Sequence, residues 1–303
     1  MIKDIQKEDL EGIRALWYQS HPEQQQEYID FYFQNEFFKT HCIVCEQDGR
    51  IISSLAMKEH VMSFLNRKLL VSYLEGVATL PDYRRRGHMH ELMNVALDEV
   101  SHNHLITLTR ALNPKIFEPY GFETVCYHKF YTISRRNLDI ATSGVSHQYD
   151  IQELLDVYEE YTKHFDGCIQ RDIAYYRRFV ERSMLQNGNI CVCRDAKGNL
   201  SGYAAYHRMD EQAEIHEIIY LDSASFMKLA AYVCGNEDEV SVQVSQAERI
   251  EMLFPLAIGK RQRFLMARIN NYELFNKLFN TKAETVTEAF ALMKKPIMNN
   301  EYY

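Results

Sequence analysis

VSYLEGVATLPDYRRRGHMHELMNVALDEV, residues 71–100, is the stretch that decides the fold. Val71 to Leu80 is β-rich, and period-two alternation places Tyr73, Glu75 and Val77 on one face and Leu74, Gly76 and Ala78 on the other. A single carboxylate thus stands on an otherwise apolar strand. Pro81-Asp82 ends the strand, because proline has no N–H to give to a ladder. Arg84-Arg85-Arg86-Gly87-His88-Met89 then precedes Leu92, Met93, Ala96, Leu97 and Val100, which recur at helical spacing. The turn therefore opens directly into a helix N-terminus, where free N–H groups and the positive end of the helix dipole attract anions. Gly87 lets the backbone approach closely, and the arginines add charge-assisted hydrogen bonds. Strand, turn and helix together suit the pyrophosphate of a nucleotide-like cofactor; a solvated basic turn is the plainer alternative.

The rest of the composition narrows the setting. A chain of 303 residues is long enough for two ordinary domains. With a net charge of −8 and 46% hydrophobic residues, it has a substantial core and lacks the broad basic surface of a nucleic-acid binder. No apolar run approaches the roughly 20 residues of a membrane span, and MIKDIQKEDL has no signal-peptide core, so a cytoplasmic protein without a membrane partner is expected. The seven cysteines are then expected as reduced thiols. Cys42-x-x-Cys45 falls on a strand, where residues three apart point to opposite faces, and Cys191 and Cys193 have no second ligand pair; no metal site is expected.

Arg84-x-x-Gly87-x-Met89, preceded by GVATLPDY (76–83), resembles the motif of the GNAT superfamily of CoA-dependent N-acetyltransferases, Arg or Gln-x-x-Gly-x-Gly or Ala. VATLPDYRRRGHMHELM (77–93) resembles more narrowly the branch related to the enhanced intracellular survival acetyltransferases, where an arginine triplet before glycine is usual. Met89 stands where the superfamily often has Gly or Ala, a departure common in that branch. The resemblance implies an α+β (mixed α/β) chain of tandem GNAT folds, each a mixed, mostly antiparallel central sheet flanked by helices. It implies acetyl-CoA as cofactor, with Val77, Ala78 and Thr79 offering backbone hydrogen bonds to pantetheine. Arg84, Arg85, Arg86, Gly87, His88 and Met89 would hold the pyrophosphate, and Asn113 and Phe117 would line the cofactor.

Along the chain, a short strand in Met1–Asp9 leads to a helix that Asp9 can cap, carrying Leu10, Ile13, Leu16 and Trp17. Residues 27–38 form a second helix with an aromatic stripe of Tyr28, Phe31, Tyr32, Phe37 and Phe38, either core or, as in the family, a wall of the acceptor site. HCIVCEQ-DG-RIISSLAMKEH (41–60) reads as a hairpin turning at Asp48-Gly49. His104 to Leu112 is a strand, and CYHKFYTI (126–133) another. Between them the family's signature, Ile or Phe-Tyr-x-x-apolar-Gly-Phe or Tyr, fits Gly121-Phe122, with Tyr120 in the apolar place and Phe117 in place of the tyrosine that serves the family as general acid. A phenylalanine cannot donate a proton.

The polar stretch SRRNLDIATSGVSHQ (134–148) marks a domain boundary, giving a cofactor-loop domain at 1–135 and a second domain at 146–303. The second half repeats helix, helix, hairpin, strand and helix, but EIHEIIYLDSASFMKLAAYV (214–233) has no Arg-x-x-Gly and puts Asp222 where an anion would bind. It is expected to be a degenerate, cofactor-free relative. PLAIGKRQRFLMARINNYELFNKLF (255–279) resembles the passage that leads, in longer members, into a sterol-carrier-type third domain; a complete one is not expected here, and whether Tyr303 brings a terminal carboxylate to the site is left open.

The expected reaction is acetyl transfer to a primary amine of a small molecule or peptide by direct attack. Glu75 is the candidate base, since an apolar face raises a carboxylate's pKa, with a salt-bridged structural glutamate as the alternative. Tyr120 is the candidate acid. The competing class is a catalytically impaired acyl-CoA-binding or regulatory protein, and a homo-oligomer is possible in either case.

Overall fold

The computed structural model describes residues 1–22, 24–111, 113–185, 187–209 and 212–301. In chain order its elements are β1 (Ile2–Asp4), α1 (Leu10–Ser20), α2 (Gln26–Asn35), β2 (Thr40–Gln47), β3 (Arg50–Phe64), β4 (Arg67–Thr79), α3 (His88–Asn103), β5 (Ile106–Thr109), β6 (Glu123–Ser134) and β7 (Val145–Ser146). There follow α4 (Ile151–Thr162), α5 (Ile173–Leu185), β8 (Gly188–Arg194), β9 (Leu200–Met209), β10 (Gln212–Tyr220), α6 (Ser223–Cys234), β11 (Glu239–Ser245), β12 (Lys260–Ile269), α7 (Tyr272–Phe279) and α8 (Val286–Ala291). Leu112 and Tyr303 lie outside the described residues. The described residues form two compact units: those of 1–125 with 265–292 and Glu301, and those of 126–264 with 293–300. The polar stretch at 134–148 offers a linear boundary, but the units are interleaved along the chain.

In the first unit the strands run β1-β2-β3-β4-β5, followed by the 265–269 portion of β12. All pairs are antiparallel except β4 with β5. The β2–β3 hairpin turns at Asp48 and Gly49, whose φ of 52° and 74° are the left-handed values a tight hairpin requires. β12 enters because Met266 to Ile269 pair with Thr109 to Ile106, so the passage resembling a lead into a further domain instead completes this sheet. Asp9 does not cap α1 as expected. Its carboxylate accepts from the Gln6 N–H at 2.8 Å and pairs with Lys3 at 3.0 Å, closing a short 3-10 turn ahead of the helix.

Two layers of helix cover this sheet. Met57 pairs with Leu74, and a cleft joins Met57 and Ser72 to Val100 and Asn103, so α3 covers the Ser72/Leu74 face. Its stripe of Leu92, Met93, Ala96, Leu97 and Val100 is buried, about 1.5–3 kcal/mol for each large side chain. α1 and α2 cover the opposite face, where Trp17 stacks on Tyr32 at 4.9 Å.

The second unit has the order β11-β10-β9-β8-β7, with residues 126–134 of β6 against the outer side of β11. Here too one pair, β10 with β11, is parallel. α4 starts at Asp150, whose side chain accepts from Gln152 while Glu153 reaches back to the Asp150 N–H. Arg171 and Glu217 form a bidentate pair, both contacts 2.8 Å, essentially without exposure, with Arg171 4.2 Å above the Tyr158 ring. Among the described residues no helix is long and apolar enough to cross a membrane.

Candidate functional site

The strict alternation expected of Val71–Leu80 fails at Gly76. Glu75 pairs with Ala56 and Ala78 with Ser54, so Gly76 and Val77 together oppose the single residue Leu55. Ser54 and Ala56 share a face of β3, which puts Glu75 and Ala78 on one face instead of on opposite ones. Gly76 has φ +59°, and a Cβ there would stand 2.1 Å from Trp17 Cζ2, so neither the backbone nor the space admits a larger residue. The bulge is locked from both sides: Trp17 Nε1 donates to Ser54 Oγ at 3.3 Å, and Ser54 Oγ donates to the Gly76 carbonyl at 3.0 Å.

Beyond Leu74, β4 runs on past the end of its parallel neighbour, since Leu74 pairs with Thr109, the last residue of β5. Among the described residues, β5 pairs with Ser72, Tyr73 and Leu74 of β4, and the last contact is reinforced by Thr109 Oγ1 donating to the Leu74 carbonyl at 3.1 Å. Among the described residues, no β5 pairing reaches Glu75 to Thr79. Val77 and Thr79 are half-buried and Ala78 is buried. The carbonyls of Ala78 and Thr79 already accept from Ser53 Oγ at 2.7 Å and Arg84 Nε at 3.1 Å.

The three arginines differ. Arg84 is tied to Thr79, holding the loop against the end of β4; Arg86 lies 5.2 Å above the Tyr83 ring; and exposed Arg85 takes a left-handed φ of 63°. Gly87, also left-handed at φ 92°, is the N-cap of α3, has no side chain to cap it, and has open space where a Cβ would stand. The N–H groups of the first helical turn at His88, Met89 and His90 precede the first intrahelical bond, made by Glu91 to the Gly87 carbonyl. His88 is half-buried with its Nδ1 3.7 Å from Cys45 Sγ, and Met89 packs on the core.

Glu75, only 5% exposed, faces α2, where the buried Tyr32 hydroxyl donates to Glu75 Oε1. Burial, and next the Glu75 carboxylate, hold the Tyr32 phenol well above its ordinary range, so it stays a donor. A second buried charge pair, Lys58 with Glu36 at 2.6 Å, lies nearby. Within the aromatic stripe, Phe31, Tyr32 and Phe37 are core while Phe38 is exposed.

Asn113 is exposed, and its side chain accepts from the Lys115 N–H at 3.3 Å, a turn-capping role. Phe117 is buried and meets Phe122 edge-on at 5.8 Å. Tyr120 is half-buried, its hydroxyl 2.9 Å from His90 Nδ1, with Asn94 Nδ2 3.1 Å from the other ring nitrogen. Burial raises the Tyr120 pKa. Tyr120 is thus attached to the first turn of α3 while Glu75 points to the α1/α2 face. Sequence reasoning missed Tyr32 as the partner of Glu75 and His90 as the partner of Tyr120; neither pairing has a sequence signal, because 43 and 30 residues separate the partners.

The second unit has the same strand-to-helix junction without the loop. β10 bulges between Ile215 and Glu217, but Glu217 is clamped by Arg171. The N-terminus of α6 is occupied by its own Asp222, which accepts from the Ser225 N–H at 2.8 Å. A cleft of about 1040 Å³ in this unit, lined by Arg135, Arg136, Asp139, Tyr232 and Glu239 among others, mixes both signs of charge and contains none of the motif residues.

A bulged strand that runs past the end of its parallel neighbour, next to a glycine-capped helix whose first N–H groups precede its first internal bond, frames the candidate site. Residues 1–125 match a family model described as an acetyltransferase (GNAT) domain, and residues 167–269 match a second model with the same description. The chain belongs to the GNAT acetyltransferases and carries two such domains in tandem. Among solved structures it is similar to a probable N-acyltransferase of unknown function from Enterococcus faecalis V583, at 19% identity and TM-score 0.76, over 89% of this chain and 72% of that one. It is similar also to Eis1 from Mycobacterium abscessus, at 13% identity and TM-score 0.69, over 91% and 75%. A tandem GNAT protein from the clavulanic acid biosynthesis pathway matches at 12% identity and TM-score 0.59, over 89% and 98%. At these identities the likeness is one of fold. No curated protein matches the chain by sequence.

Proposed function

We propose that this acyltransferase moves an acetyl group from acetyl-CoA to a primary amine by direct attack, at one site per chain, built in the first unit. The observation that carries the reading is the pairing of two features: β4 running on beyond the end of β5 at Leu74, and a left-handed, unobstructed Gly87 at the mouth of α3. The residues fit the cofactor. Arg85 and Arg86 with the N–H groups of His88 to His90 suit a pyrophosphate, and the stretch Val77 to Thr79, beyond the end of β5, suits an extended pantetheine. When bound, acetyl-CoA supplies a thioester already activated toward amines.

The chain's own residues then have defined tasks. An ammonium must lose a proton before it can attack, and Glu75, oriented by Tyr32, is the group to take it, directly or through a water. Tyr120, kept protonated by burial and held by His90, is the group to protonate the departing thiolate in place of the tyrosine that Phe117 replaces. The acceptor is a small-molecule or peptide amine; a net charge of −8 favours a cationic one. All seven cysteines are buried and outside any disulfide among the described residues, which suits a reducing compartment.

The second reading, an acyl-CoA-binding regulator without turnover, is favoured by Phe117 at the acid position. Thiol release from acetyl-CoA across a panel of amines separates the two. Amine-dependent release supports transfer, and tight CoA binding with no release under any amine supports the regulator.

A further inference from the structure

One group of metal-ligating side chains has no task in this chemistry. Cys45 on β2 and His88 and Glu91 on the first turn of α3 each bring a ligand atom to within 4.8 Å of the other two. Cys42, its apparent partner in sequence, takes no part: residues three apart on a strand diverge, whereas His88 and Glu91, three apart on a helix, share a side. We propose that Cys45, His88 and Glu91 form a binding site for a thiophilic divalent cation of the Zn²⁺ type.

The geometry supports this in three ways. Zn–S and Zn–N bonds of about 2.3 and 2.0 Å at a tetrahedral angle set the sulfur and nitrogen about 3.5 Å apart. The Cys45 Sγ to His88 Nδ1 distance is 3.7 Å, so this edge of the tetrahedron is almost in place before any ion arrives. Glu91 is exposed and can close on the ion by side-chain rotation, while the buried sulfur and half-buried imidazole stay fixed. Finally, the other nitrogen of the ring, His88 Nε2, is buried and makes no hydrogen bond among the described residues, so the ring's hydrogen bonding there rests on the long contact from Nδ1 to Cys45 Sγ, the contact an ion would replace.

Sulfur, imidazole and carboxylate form a mixed donor set that favours zinc over magnesium or calcium, which prefer all-oxygen sites. With three protein ligands the fourth position is left to water. Binding converts the Cys45 thiol to a thiolate and releases its proton to the buffer.

The test uses the full chain, purified with chelator and then dialysed. Zn²⁺ titrated calorimetrically should bind at one site per chain, with Mg²⁺ giving no heat. Co²⁺ as a spectroscopic probe should produce the near-ultraviolet charge-transfer band of a thiolate ligand. Cys45→Ser should abolish that band. Glu91→Gln, a surface change that leaves folding intact, should keep the band but weaken Zn²⁺ by at least about 10-fold, the lower end of what losing even an outer partner of a metal ligand costs. The proposal fails if Cys45→Ser, folded by circular dichroism, keeps the cobalt band. It fails equally if Glu91→Gln binds Zn²⁺ as tightly as wild type, or if wild type binds no Zn²⁺. None of these readouts depends on acetyl transfer, so the result is independent of the function proposed above.

Discussion

Gly76→Ala is expected to cripple the first unit although it adds one methyl group. The residue has φ +59°, where an L-residue costs about 1–2 kcal/mol more than glycine. The new Cβ would also lie 2.1 Å from Trp17 Cζ2 and 2.9 Å from Cη2, so the indole must move. Trp17 is only 8% exposed and stacked on Tyr32, and overpacking of this kind costs about 1–3 kcal/mol. Displacing it also breaks the bond from Nε1 to Ser54 Oγ, worth about 1 kcal/mol. The total is about 3–6 kcal/mol, a large share of the roughly 5–15 kcal/mol that keeps a domain folded. Trp17 is the sole tryptophan, so its fluorescence in a urea titration reports on this unit directly. The expected result is a midpoint lowered at unchanged slope, with weakened CoA binding because the bulge positions Glu75 and Ala78. Gly87→Ala is the control: with no atom within 4 Å of its Cβ, it should lose only the backbone term. If Gly76→Ala unfolds within about 0.5 kcal/mol of wild type with unchanged emission, the bulge argument is wrong.

Other expectations follow from the same geometry. Glu75→Gln should lower kcat much more than it weakens CoA binding, and Tyr32→Phe, which removes the donor to Glu75, should lower kcat less; equal rates across pH in both variants would make Glu75 structural. Tyr120→Phe should reduce transfer by about 10²- to 10⁴-fold at nearly unchanged CoA affinity, and Phe117→Tyr should raise it; full activity in Tyr120→Phe would assign proton delivery elsewhere. Burial lowers the pKa of His60, in the first unit, and of His216, in the second, from 6.5 to about 4. Each is neutral when folded, and the unfolded chain binds the extra proton below pH 6.5, so stability is complete above that pH and falls as the pH drops toward 4, by up to about 3 kcal/mol per histidine. Urea midpoints between pH 7 and 4 should show this loss, and a flat profile would contradict it.

The strand, turn and helix of residues 71–100 were legible because each signal is local: β-rich alternation, a proline stop, glycine, then a helical stripe. They appear as β4 and α3. The Asp48-Gly49 hairpin was legible for the same reason. What escaped was set by partners distant in sequence. Gly76 reads equally well as an ordinary strand residue, and only Trp17 and Ser54 make it a bulge. Met266 to Ile269 have the composition of any buried strand, so nothing local announces that they pair with β5. Asp9 carries a capping residue's chemistry, but Gln6 and Lys3 claim its carboxylate. Asp222 reads the same way in sequence and structure, as a carboxylate at a helix N-terminus, because a cap needs only its own next three residues.

The most direct test is thiol release from acetyl-CoA with a panel of primary amines, run in parallel on wild type and Gly87→Glu. Gly87 has open space and a left-handed backbone at the helix mouth, so the glutamate blocks close approach and sets a negative charge against pyrophosphate. The account predicts amine-dependent release and acetylated amine from wild type, CoA bound at one site per chain, and loss of all three in Gly87→Glu. Two equivalent CoA sites, or a Gly87→Glu protein that still binds CoA and acetylates, would contradict it.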